Sequence, residues 1–90
     1  MGRKYIYKFL VDCGRRGNIE STFIATEEEV GGLAGKSFYF YEPFGKFSEV
    51  VGQFKEQHFS RVECDESTVS VVESLGILPT GHYPFDSIDE

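Results

Sequence analysis

The side chains of this 90-residue chain that could carry out chemistry are two cysteines, two histidines and fifteen carboxylates. Cys13 and Cys64 belong to no C-x-x-C pair, and His58 and His82 stand singly, so the clustered ligand spacing of a zinc site is missing. His58 and Cys64 are six residues apart, which matches no recognised ligand pair. The expectation is two reduced thiols, no metal and no cofactor. No two of the carboxylates are singled out as an acid–base pair, so an enzyme is not expected. Val30-Gly31-Gly32-Leu33-Ala34-Gly35-Lys36-Ser37 nearly spells a phosphate-binding loop, but Val30 occupies the first glycine position. The segment also closes a helix and opens a strand, which reverses the dipole that should face an anion.

Binding chemistry is better represented. Residues 1–17 carry five basic groups and one acid, whereas the remainder carries four basic and fourteen acidic groups. From Val62 to Glu90 there are seven acids and neither Lys nor Arg. Such polarity steers association with a charged partner. Glu63, Asp65, Glu66 and Glu73 are candidates for an acidic surface that meets a basic groove in the manner of nucleic-acid phosphate. Tyr39, Tyr41 and Phe44 are candidates for apolar anchorage, since exposed aromatics carry much of the energy of protein interfaces. The alternative is a nucleic-acid-binding module that places Arg15 and Arg16 at the tip of a basic hairpin, with Tyr5 or Tyr7 stacking on bases. A small enzyme comes third.

These residues need elements to position them. Lys4–Asp12 alternates, with Tyr5, Tyr7, Phe9 and Val11 on one face, and reads as a half-buried strand. The loop from Cys13 to Asn18 contains two glycines and an Asn, which turn the chain back into a strand from Ile19 to Ala25. Thr26 with Glu29 forms a capping box for a two-turn helix that Gly35 ends, although Gly31 and Gly32 weaken it. Ser37–Tyr41 predicts a strand with Phe38 and Phe40 inward and Tyr39 and Tyr41 on the opposite face, which is either exposed or covered by the second helix or the tail. Glu42–Lys46 is a turn, Phe47–Phe54 a returning strand, and a shorter strand follows over His58–Glu63. A second helix begins at a cap on Asp65 or Ser67, buries Val69, Val72 and Leu75, and ends at Gly76. The acidic tail, about residues 78–90, is rich in turns, and its Tyr83, Phe85 and Ile88 can pack it down. Hairpins dominate, so the fold class is α+β: an antiparallel sheet of four to five strands in ββαβββα order, with two short helices packed on it.

Ninety residues make one domain, 1–90, and 40% hydrophobic content is too high for disorder. No apolar run approaches the ~18 residues of a membrane span, and the N-terminus lacks the features of a signal peptide. Gly2 invites myristoylation, but Ile6 stands where that motif requires Ser or Thr. A cytoplasmic monomer or homodimer with no membrane partner is expected.

The stretch Gly35–Val51, GKSFYFYEPFGKFSEVV, resembles a pattern in small phage- and mobile-element-encoded proteins of unassigned function. In these a Gly-Lys step opens an aromatic strand and a Gly-Lys-x-Ser-Glu-Val turn follows. The likeness extends over Thr26–Ile77 and departs at Phe47, where that family commonly carries His. The resemblance brings no catalytic activity. It implies a phage accessory protein in a bacterial host cell, an inhibitor or a host-factor binder, and the leading expectation is a protein that binds and inhibits a host defence protein.

Overall fold

A computed structural model describes residues 3–41, 43–46 and 48–89. Two strands, β1 (Lys4–Asp12) and β2 (Asn18–Thr26), form an antiparallel hairpin that sets Lys4 opposite Thr26 and Asp12 opposite Asn18. A single 3-10 turn, Gly14–Arg16, joins them, and the Asp12 carboxylate accepts from the Gly14 N–H at 2.8 Å. Helix α1 (Glu27–Gly31) starts on the capping box: Thr26 Oγ1 accepts from the Glu29 N–H, and Glu29 Oε1 accepts from the Thr26 N–H. It is shorter than the capping and apolar pattern predicts. Gly31 and Gly32 hold the helical geometry poorly, and residues 32–35 become turns that still deliver Leu33 to the core.

Strands β3 (Ser37–Phe40) and β4 (Val50–Gln53) pair with each other as a separate two-stranded sheet. The returning strand is half the predicted length. Ser48 is buried and its hydroxyl ties the Phe44 N–H and the Gly45 carbonyl into a local turn, so Ser48 and Glu49 stay outside the strand. Glu42 and Phe47, and Gly2 at the start of the chain, lie outside the described residues.

Strand β5 (Phe59–Val62) lies beside β1, helix α2 (Glu66–Leu75) follows, and β6 (Thr80–Gly81) adds to β2. The main sheet therefore runs β5-β1-β2-β6, antiparallel throughout, which makes the fold α+β with two helices. Asp65 is the cap of α2, accepting from the Thr68 N–H at 2.9 Å, and Gly76 ends the helix in the left-handed region at φ 68°. One expectation is corrected, and the tail packs down as its Tyr83, Phe85 and Ile88 allow. Leu75 is 63% exposed, because six residues at 100° each carry it about 120° round from buried Val69. The segment after residue 78 is part of the fold: it supplies β6, buries Pro84 and lays Ile88 against Phe38. Gly81 is required there, since a Cβ would run into the Glu20 carbonyl and φ is +66°.

The core lies between the sheets. Tyr7, Phe9, Ile19 and Phe23 face Phe38, Phe40 and Phe54, and the tail packs Tyr83 and Phe85 on Phe23. On the other face of the main sheet α2 covers one end, burying Ile6 and Val69.

Candidate functional site

Three surfaces hold the residues singled out above. The first is the outward face of β3 and β4. Its strand alternation turns Phe38 and Phe40 inward and leaves Tyr39 and Tyr41 at 39% and 71% exposure. The two rings stack at 6.5 Å with 27° between their planes. Directly across from Tyr39 stands Val51, 65% exposed. Glu49 and Asp89, both exposed, flank this apolar strip; the Asp89 N–H donates to the Ser37 carbonyl at 2.9 Å. Phe44 is not part of the strip. It is half-buried and folds back onto the first hairpin, where its ring would meet a Cβ on Gly17 at 3.4 Å. Val51 was not predictable as an exposed anchor, because the adjacent Val50 and Val51 give no indication of which one faces inward.

The second surface is the acidic end of the main sheet. The register brings Arg3 and Lys4, the start of α1 and the residues after β5 to the same end. Glu27, Glu28, Glu29, Glu63, Asp65, Glu66 and Glu73 surround Arg3, Lys4 and Arg61, an excess of four negative charges. The carboxylates predicted to mimic phosphate are therefore engaged within the molecule. Glu73 bonds Lys4 at 2.8 Å and raises its pKa. Glu66 lies 3.5 Å from Arg3, and Arg61 bridges Glu27 and Glu63 at 2.6 and 3.3 Å. Asp65 accepts from Thr68 and Ser67, and these hydrogen bonds hold its carboxyl below the usual range. Charge here acts as a field at a distance, because the local pairs are already formed.

The third surface is the pair of hairpin tips at the far end. Arg15 and Arg16 are exposed on the 3-10 turn, and the Phe44 contact with Gly17 brings the Lys46 turn alongside. Among the described residues none of these three cations is in an ion pair. Tyr5 and Tyr7 cannot serve them as base platforms. Tyr7 is buried against Phe23, and Tyr5 lies beneath both Arg3 and Arg61, 4.9 and 4.4 Å from its ring centre. Tyr5 is also at the opposite end of β1.

Comparison with family models, with curated proteins and with solved structures yields no match.

A groove of about 620 Å³ opens on the uncovered part of the main sheet, lined by Lys8, Leu10, Glu20, Thr22, Ser60 and Thr80. Lys8 and Glu20 lie diagonally across β1 and β2, so the groove presents both signs of charge and no excess of either. Cys13 and Cys64 are half-buried free thiols. Among the described residues no three His, Cys, Asp or Glu side chains gather as a metal site, and no helix is long and apolar enough to cross a membrane.

Proposed function

We propose that this chain is a non-catalytic binding protein that docks a basic partner protein on the Tyr39–Tyr41–Val51 face. The observation that carries this is the stacked, exposed tyrosine pair with Val51 alongside and acidic groups on its flanks. Tyrosine supplies a large, rigid contact area, and charge at the rim steers encounter without fixing it. The acidic end adds to that steering through its net charge. The resemblance of Gly35–Val51 to phage-encoded accessory proteins makes a bacterial host protein the partner to test first.

A second reading follows from the hairpin tips, whose three cations, unpaired among the described residues, suit a phosphate backbone. One experiment separates the two. Tagged wild type is used to capture partners from a bacterial lysate with and without nuclease, beside Tyr39→Ala/Tyr41→Ala and Arg15→Glu/Arg16→Glu. A stoichiometric protein retained by wild type and by the arginine variant, but at least about tenfold depleted with the tyrosine variant, is expected. Capture that vanishes with nuclease or with the arginine variant would replace the proposal by the nucleic-acid reading.

A further inference from the structure

The backbone directions in the small sheet show that β4 has an open edge. Tyr39 donates to the Ser87 carbonyl and Asp89 donates to the Ser37 carbonyl, so residues 37 and 39 face the tail. Phe38 and Phe40 therefore face β4 and bond to Gly52 and Val50, and the pairing of Phe54 with Lys36 continues the same set. Val51 and Gln53 must then point their N–H and C=O groups away from β3. Among the described residues nothing pairs on that side. Open edges of this kind are ordinarily covered, charged or shortened.

We propose that a second copy of this chain covers this edge, β4 pairing antiparallel with the partner's β4 about a two-fold axis at Val51. The register is self-complementary. Val51 meets the partner's Val51, which extends the outward row to Tyr39, Val51, the partner's Val51 and the partner's Tyr39. Continued one residue before and two residues beyond β4, the register sets Glu49 opposite the partner's Gln53 and diagonal to the partner's Lys55, within reach of a lysine side chain. The two-fold axis repeats that ion pair. Among the described residues Glu49 and Lys55 form no ion pair within one copy. On the inward face the partner's Val50 comes beside Gly52, which carries no side chain and lies under the Phe38 ring. Pairing leaves the tyrosine face open and doubles it across about 14 Å of sheet.

The test uses the chain alone, so its outcome is independent of any partner protein. Sedimentation equilibrium from about 10 μM to about 1 mM should show reversible dimers, as expected for a small edge contact. Val51→Pro removes an outward N–H and no bond to β3, so it should give a folded monomer. Should that variant fail to fold, Val51→Lys places two like charges at the axis and serves instead. Glu49→Lys should weaken the dimer at least about tenfold, and Glu49→Lys/Lys55→Glu should restore it. A wild type monomeric at 1 mM, a dimer indifferent to both Val51 variants, or a charge swap that fails to rescue would each overturn the proposal.

Discussion

The imidazole of His58 lies edge-on to Phe9 and Phe38, with ring centres 6.1 and 6.3 Å apart, and its Nδ1 accepts from the Lys55 N–H at 3.2 Å. Burial lowers its pKa below 6.5, and the Lys55 charge lowers it further. The unfolded chain thus takes up the proton first. The stability contributed by neutral His58 is full above about pH 6.5 and is lost as pH falls through the lowered folded value. The urea midpoint of wild type should drop between about pH 7.5 and about pH 5.5, above the carboxylate range, and His58→Gln should flatten that slope. An unchanged slope in the variant, or an NMR titration that puts His58 at or above 6.5, would contradict this. No sequence pattern announces such a role, because the aromatic neighbours of His58 come from β1 and β3, 49 and 20 residues away. Side chains whose surroundings come from their own strand were legible: the alternation of β1 identified Tyr7, Phe9 and Val11 as core. Phe44 and Leu75 were misjudged because turn geometry and helical phase, rather than hydrophobicity, decide where they point.

Elements with local signals formed where the chain announces them. The first hairpin has period-two strands and a Gly/Asn loop, and both helices have their caps within three residues. Removing one such signal should have a definite cost. Thr26→Ala takes away one half of the capping box and should destabilise the protein by about 1 kcal/mol, a Tm decrease of roughly 4–8 °C for a domain of this size. A loss below about 0.3 kcal/mol in denaturant melts would show that tertiary contacts alone hold α1. Elements without local signals escaped. The two residues of β6 are too few for any periodicity, and β4 was shortened by a Ser48 bond that depends on Phe44 and Gly45. The separation into two sheets is also non-local, because every strand in either sheet reads alike in sequence. For the candidate site the division is the same: strand parity puts Tyr39 and Tyr41 on one face away from Phe38 and Phe40, whereas whether that face is covered, and the pairing of Glu66 and Glu73 with Arg3 and Lys4 across 63 and 69 residues, are non-local.

Across the whole molecule charge is polarised along β1, with seven carboxylates around three cations at the Lys4 end and Arg15, Arg16 and Lys46 at the other. At ~3.3 Å per residue those ends are about 26 Å apart, more than two Debye lengths at physiological salt, so each presents its own sign to an approaching partner. Residues 80–89 join this molecule together: Thr80 and Gly81 pair with β2, and Ser87 and Asp89 bond to β3 on the other sheet. That arrangement has a consequence during synthesis. The first hairpin can form within microseconds of emerging, but β3 remains without its second neighbour until some 50 further residues have been added. At 5–20 residues per second the wait is roughly 2.5–10 s, during which Phe38 and Phe40 lie in an unclosed sheet. Ribosome-bound chains stalled with residue 79 exposed should be cut rapidly by protease at the β3–β4 segment, whereas chains stalled with residue 89 exposed should resist. Equal resistance of the two would mean that the small sheet closes without its strap, and that nascent chains are sheltered from aggregation earlier than the hydrogen-bond pattern implies.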